Sequence, residues 1–269
     1  MALSVRIRPS KRLGQNFLAD NRVASRIVSV AELRGEDTVL DPGAGYGALT
    51  HLLEQRAGRV IAVEKDHRLA SHLRKEFEKS SSVSIIEGDV LKVELPAFNK
   101  VVGTPPYTVS SKLVLMLTKR KFDLASLVFQ KEFGERLVAK PGTSDYGRLS
   151  IAAQRSLTVE SIMNISAGAF RPKPKVDSVL LRISPREARS GLDEIQFEEL
   201  VRGLFNQRRR LVRSSLLHFL SKKLGREKAL AILTRVNVPE KRVFQLAMAD
   251  LEGLCGQLSD TLGNNGELA

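Results

Sequence analysis

The sequence predicts an α/β protein with a parallel sheet and a second, smaller, all-helical domain. Three observations carry that expectation. Short apolar runs alternate with stretches of helical apolar spacing, a glycine-rich turn directly follows the first run, and beyond about residue 191 only helical periodicity remains.

Residues 1–20 are basic and irregular. A helix is expected from residue 21 to about 33, with Val23, Ile27 and Val30 on one face. Residues 38–40 form the first strand and break into Asp41-Pro42-Gly43-Ala44-Gly45-Tyr46-Gly47, after which Leu49, Leu52 and Leu53 resume helical spacing. Residues 60–63 form a second strand ending in Glu64, and a helix over about 67–79 leads to a third at 83–86, ending in Gly88-Asp89. Further strands are expected at 101–103, 127–129 and 179–183. The polar stretch 185–191 breaks the pattern and sets the expected domains at 1–185 and 192–262.

Composition narrows the function classes. Lys+Arg 43 against Asp+Glu 30 gives a net charge of +13, which points to a polyanionic partner. The single cysteine, Cys255, excludes a disulfide framework and a thiolate metal cluster. His51, His67, His72 and His218 lack the spacing of a helical zinc motif, so no metal is expected. The N-terminus has no apolar core of a secretory signal, and no run reaches the roughly 18 apolar residues of a membrane span. A cytoplasmic protein without membrane attachment is expected, and a monomer, since no long heptad pattern or unpaired apolar face stands out.

The strand ends carry a cofactor signature. Glycine lets the backbone approach a ligand, and an acidic residue about 20 positions later can bond ribose hydroxyls. Gly43 and Glu64 fit that pattern. Gly43, Gly45 and Gly47 give GxGxG rather than the dinucleotide GxGxxG, and no phosphate-cradling GxxxxGK[ST] is present. Asp41 just before the turn would repel a pyrophosphate but suits the cationic sulfonium and ammonium of S-adenosylmethionine. Asp89 at the third strand end can accept from an adenine amino group. The expected fold class is therefore a Rossmann-like, class I S-adenosylmethionine-dependent methyltransferase sheet.

Thr104-Pro105-Pro106-Tyr107 closes the fourth strand. An exocyclic adenine amine is a poor nucleophile because its lone pair is delocalised into the ring. Acceptors on its two N–H groups localise that pair towards the methyl donor. The Thr104 side chain and the Pro105 carbonyl are candidate acceptors, with prolines fixing the backbone, and Tyr107 can stack on the base. Such a pocket requires a flipped or single-stranded base. A rigid connection with a buried tyrosine is the alternative; the position at a strand's carboxyl end favours the site.

These residues resemble the ribosomal small-subunit RNA adenine N6,N6-dimethyltransferases over about residues 11–216. The resemblance rests on Lys11-Arg12-Leu13-Gly14-Gln15-Asn16-Phe17-Leu18, the Asp41 to Thr50 turn, Glu64 and Asp66, Gly88-Asp89-Val90, and Gln130-Lys131-Glu132. It continues through Arg136 to Gly142, Tyr146 to Ser150, Phe170-Arg171-Pro172-Lys173-Pro174-Lys175-Val176-Asp177-Ser178, and Phe205-Asn206-Gln207-Arg208-Arg209-Arg210. It implies that Gln15, Asn16 and Leu18 close over the cofactor, that Val90 joins Asp89 in the cofactor set, and that Phe170 faces Tyr107 across the target adenine. It implies dimethylation of two adjacent adenines near the 3′ end of small-subunit rRNA, with the pre-ribosomal small subunit as partner. Two positions depart from the family pattern: Asp41 stands where Glu is usual, and Thr104 where Asn is usual. Thr104 has the shorter reach, and accepts from the amine only if its own proton goes elsewhere, for instance to cofactor or water.

Arg208, Arg209 and Arg210 with Arg213 form the densest basic cluster. Read as helix, Arg209 and Arg210 each share a face with Arg213. Lys173 and Lys175 flank the late motif, and Lys11 and Arg12 the pocket entrance. Phosphate contacts from such residues set affinity and docking rather than base identity; a solvated charged face is the competing reading. Three alternatives in function remain open at this point. They are an assembly factor that binds cofactor and pre-ribosomal subunit with weak or no transfer, a large-subunit rRNA adenine methyltransferase, and a DNA N6-adenine methyltransferase, which lacks the Gln15–Leu18 signature.

Overall fold

The computed structural model describes residues 7–186 and 191–263, apart from the side chains of Lys11 and Gly263. Two compact units share the chain. The first takes the chain up to Glu135 together with Leu157–Arg186; the second takes Arg136–Ser156 and the chain from residue 191 on.

In the first unit the chain forms β1 (Phe17–Leu18), α1 (Asn21–Val30), β2 (Thr38–Pro42), α2 (Thr50–Glu54), β3 (Arg59–Glu64), α3 (His67–Glu76) and β4 (Val83–Glu87). It continues through β5 (Lys100–Gly103), α4 (Ser110–Leu117), β6 (Leu124–Gln130) and α5 (Lys131–Leu137), which straddles the divide. After α6 (Arg148–Ser156) in the second unit, it returns as β7 (Leu157–Ile165), β8 (Phe170–Arg171) and β9 (Ser178–Pro185).

Seven strands form one sheet in the order β4-β3-β2-β5-β6-β9-β7. The strand order reverses between β2 and β5, which is where open α/β sheets bind ligands. β2, β3 and β5 are buried along nearly their whole length, so they read as continuous apolar runs rather than alternating ones. α1 starts where Asp20 Oδ1 accepts from the backbone N–H of Arg22 and Val23 at 2.8 and 3.2 Å, and it buries Ala24, Ile27 and Val28.

Two expectations are corrected. The sheet is mixed: β9 lies antiparallel between β6 and β7. β7 itself was not anticipated, because it follows α6 without a breaking residue and its burial is irregular, with a register shift between Ser161 and Met163. The division of the chain also differs from a boundary at 185–192. Tyr146 and Ile151, expected in the first domain, are buried among Phe205, Leu216 and Leu246 of the second unit's core.

The second unit adds α7 (Glu194–Phe205), α8 (Val212–Leu224), α9 (Arg226–Arg235) and α10 (Met248–Gly263). Tyr146 is anchored there by donating its hydroxyl to the Leu246 carbonyl at 2.9 Å. Among the described residues no helix is long and apolar enough to cross a membrane.

Candidate functional site

The carboxyl ends of β2, β3 and β5 open into one cavity within the first unit. Gln15, Asn16, Leu18, Asp41, Gly43, Gly45, Glu64, Thr104, Pro105, Tyr107 and Phe170 all line it, as does Arg12. The structure thus brings together residues from five separate stretches of sequence.

Its floor is the glycine turn after β2. Gly43 and Gly45 adopt φ of +87° and +62°, the region where a side chain is strained. The N–H groups of Gly43 and Ala44 both donate to the Val63 carbonyl, at 2.8 and 3.1 Å, so the turn hangs from β3. A Cβ on Gly43 would stand 2.9 Å from the Pro106 ring, and one on Gly45 3.1 Å from the Phe17 ring. The turn is therefore pressed between the Pro-Pro segment and the N-terminal arm, and only bare backbone fits.

The acids differ in environment. Asp41 is 1% exposed and accepts from Thr50 Oγ1 at 2.7 Å. Burial pushes its pKa up to about 7; the Thr50 hydrogen bond opposes the shift and the Glu64 charge adds to it. Glu64 is also raised by burial, against hydrogen bonds from the backbone N–H groups of Asp66 (2.8 Å) and Gly45 (2.9 Å). Each Glu64 oxygen retains accepting capacity towards the cavity. A buried acid that favours its neutral form, beside a second acid, is an environment that a cation relieves. This donor set and bare-backbone floor suit a ligand with a positive centre and hydroxyl groups, as S-adenosylmethionine has.

Asp89 and Val90 lie outside the cavity lining. Asp89 accepts from the Leu91 N–H at 3.1 Å and from Lys65 Nζ at 3.0 Å. Burial raises its pKa, but these bonds prevail and hold it below the ordinary value. Its partner Lys65 does line the cavity. Val90 is buried.

The opposite wall is the segment after β5. No hydrogen bond within the described residues occupies Thr104 Oγ1 or the Pro105 carbonyl, while Pro106 O accepts from Val109 N–H at 3.0 Å. Tyr107 begins a single 3-10 turn, Tyr107–Val109, and its hydroxyl pairs with Ser178 Oγ at 2.7 Å. Burial raises the Tyr107 phenol pKa, and the Ser178 bond opposes the rise. Phe170 is 1% exposed and is held by pairing of β8 with β1, Leu18 opposite Phe170.

The N-terminal arm closes one side. Gln15 Oε1 accepts from Ser10 N–H at 2.6 Å, and its Nε2 donates to Asp66 at 3.0 Å. Asn16 Nδ2 donates to the Gly14 carbonyl at 3.2 Å. The Asp66 carboxylate is gripped by Arg68 at 2.7 Å, which holds its pKa well below the usual carboxylate range. Tyr46 of the glycine turn donates to the Ile7 carbonyl at 2.7 Å and meets the Phe17 ring edge-to-face, centroids 4.7 Å apart. Thr50, Asp66, Arg68, Tyr46 and Ser178 were not singled out as site residues from the sequence. Thr50 is nine residues from Asp41 and Ser178 ends the late motif, and neither offset has a chemical signature of its own.

The basic candidates are placed as follows. Arg12 is exposed at the cavity, and Lys173 and Lys175 are exposed between β8 and β9. The Lys11 side chain lies outside the described residues. In the second unit, Arg209, Arg210 and Arg213 are exposed, but the shared helix face is corrected: residues 206–210 form a turn, and only Arg213 is helical. The turn is laced to a neighbouring stretch, Phe244 N–H donating to Arg208 O and Val243 N–H to Arg210 O, each at 3.0 Å. Arg208 is a brace, its guanidinium bonded to the carbonyls of Thr143 and Ser144 at 3.2 and 3.0 Å.

A family model described as "Ribosomal RNA adenine dimethylase" matches residues 7–249. A probable ribosomal RNA small subunit methyltransferase A of Thermococcus sibiricus is 42% identical over 255 residues, covering 92% of this chain and 91% of the relative. A protein of the same description from Methanosarcina mazei is 38% identical over 253 residues, covering 93% of each. The crystal structure of a dimethyladenosine transferase from Plasmodium falciparum superposes with a TM-score of 0.81 at 27% identity, covering 93% of this chain and 98% of the other. That of the 23S rRNA methyltransferase ErmE superposes with a TM-score of 0.67 at 29% identity, covering 91% and 100%. With the family match spanning nearly the whole described chain, the protein belongs to the ribosomal RNA adenine dimethylase family.

Proposed function

We propose that this protein transfers methyl groups from S-adenosylmethionine to the N6 amines of two adjacent adenines near the 3′ end of small-subunit rRNA. It would act as a monomer, in the cytoplasm, on a pre-ribosomal small subunit. The observation that carries the reading is the single cavity joining the glycine turn and buried acids to Thr104, Pro105, Tyr107 and Phe170.

When bound, S-adenosylmethionine supplies an electrophilic methyl group. Asp41 and Glu64 face its charged and hydroxyl groups, and Gln15, Asn16 and Leu18 cover it. Asp89 and Val90 contribute from outside the cavity, Asp89 by fixing Lys65. Thr104 Oγ1 and the Pro105 carbonyl accept from the two N6–H groups and localise the nitrogen lone pair. Tyr107 and Phe170 hold the base. With the donor in place, these acceptors would hold the N6 nitrogen towards its methyl group, the new N–C bond replacing the sulfonium S–C bond and the surplus N6 proton being released. Arg12, Lys173 and Lys175 on the first unit, and Arg209, Arg210 and Arg213 on the second, supply phosphate contacts, with Lys11 at the pocket entrance.

The relatives named as small-subunit methyltransferases and the higher TM-score of the dimethyladenosine transferase favour this over a large-subunit substrate. Thr104 favours one second reading, an assembly factor with weak transfer. Incubation with labelled S-adenosylmethionine and unmethylated small subunits, followed by mapping of modified adenines, tests both. Dimethyladenosine at two adjacent sites is expected; cofactor binding without transfer to any adenine would leave the assembly-factor reading.

A further inference from the structure

The late motif supplies one aromatic wall of the acceptor pocket and also restrains the other. Its first residue is Phe170 and its last is Ser178. Ser178 is fully buried on β9, an internal strand whose backbone pairs with Gln130 of β6 on one side and Ile165 of β7 on the other. Its backbone is therefore fixed in the sheet. Tyr107, by contrast, sits on a 3-10 turn after two prolines, with no strand to hold it. The 2.7 Å pairing of the two hydroxyls is the one side-chain hydrogen bond of Tyr107 among the described residues, and it crosses 71 positions of sequence. The neighbouring Asp177 reinforces the same loop: its Oδ1 accepts from Ala167 N–H at 2.9 Å, and its carbonyl accepts from Lys131 N–H at 3.0 Å. Ala167 opens the short turn that delivers Phe170.

We propose that Ser178 is a positioning residue for methyl transfer, fixing the tip of the Tyr107 ring so that the ring is held in place for the incoming base. The proposal rests on the adenine-acceptor reading of the pocket. Ser178 touches neither base nor cofactor in this account. Its removal would leave a partly buried phenol without its partner, and the ring would turn to satisfy it. RNA docking by phosphate contacts and cofactor binding at the glycine turn do not depend on the ring's angle.

The test compares the wild type with Ser178→Ala, Tyr107→Phe and the double variant. It measures S-adenosylmethionine affinity by calorimetry, thermal midpoint, and steady-state methylation of unmethylated small subunits. Each single variant is expected to lower kcat roughly tenfold, the scale of one lost hydrogen bond, with the KM for RNA and the cofactor affinity within about twofold of wild type. The double variant should be no worse than either single one, because both remove the same contact. Full activity in Ser178→Ala, additive losses, or a loss expressed only in cofactor affinity would overturn the proposal. If Ser178→Ala does not fold, Tyr107→Phe, which keeps the ring, decides alone: reduced kcat at a wild-type thermal midpoint supports the tether, and unchanged kcat overturns it. A wild type that binds cofactor but methylates no adenine overturns the acceptor reading and this proposal together. An active wild type with an unaffected Ser178→Ala overturns this proposal only.

Discussion

At the scale of single residues, two side chains set the chemistry and both depart from the family's usual pattern. Thr104 presents a hydroxyl with no partner in the described chain, where an amide would present a longer-reaching carbonyl. We predict that Thr104→Asn raises the methylation rate by the equivalent of about 1–3 kcal/mol, the scale of one aimed polar contact; an unchanged or lower kcat would refute the account. Asp41 titrates near 7 in the folded protein against an ordinary value of 3.8. Its neutral form is favoured by burial, so the stability that the neutral form contributes is present below the ordinary value and is lost as pH rises towards 7. A cation beside the carboxylate offsets that loss. We therefore predict that S-adenosylmethionine raises the thermal midpoint more at pH ~8 than at pH ~5.5. The difference should shrink in Asp41→Asn, and with S-adenosylhomocysteine, which lacks the sulfonium. Asp41, Gly43, Glu64 and Thr104 were legible in the sequence because strand ends fall at fixed places in this kind of sheet. The partners Thr50, Asp66 and Ser178 were not, because their contacts are made across the fold and leave no local pattern. Asp89 was legible as a strand-end acid but not as a partner of Lys65, since only the packed structure decides which cation a half-buried carboxylate meets.

At the scale of elements, the parallel strands were readable because burial on both faces makes them unbroken apolar runs. β7 was not, because it lies at the sheet edge and carries polar residues at irregular intervals. The basic run 208–210 was misread as helix. Helical propensity permits it there, but tertiary pairing of the turn with residues 243 and 244 overrides local preference. The α7–α8 contact offers a sharp test of packing. A Cβ on Gly203 would lie 2.2 Å from Phe219 Cδ2 and 2.7 Å from two further ring carbons. Alanine gains roughly 1 kcal/mol in helix propensity, but forcing the ring or helix aside costs about 1–3 kcal/mol. Because the obstruction is a packed ring rather than a flexible side-chain tip, overpacking is expected to win. Gly203→Ala should lower the thermal midpoint while leaving cofactor affinity unchanged, a split readable by calorimetry.

At the scale of the whole molecule, the sequence announces an α/β unit and a helical unit but misplaces their division. The chain leaves the first unit after Glu135, contributes residues 136–156 to the second, and returns to build β7 before leaving again after Arg186. A linear reading places a boundary where composition changes, and composition does not change at 135 or 156. The helical unit is consequently not a cassette that recombination could swap by a single crossover. Any cut after Arg186 would keep Tyr146 and Ile151 but discard the leucines that cover them, exposing apolar surface in the surviving fragment. Exchange between relatives at that point would succeed only where both parents carry matching 136–156 segments. This interleaving ties the inheritance of the two units together, so whatever the helical unit recognises must be inherited with the chemistry of the sheet.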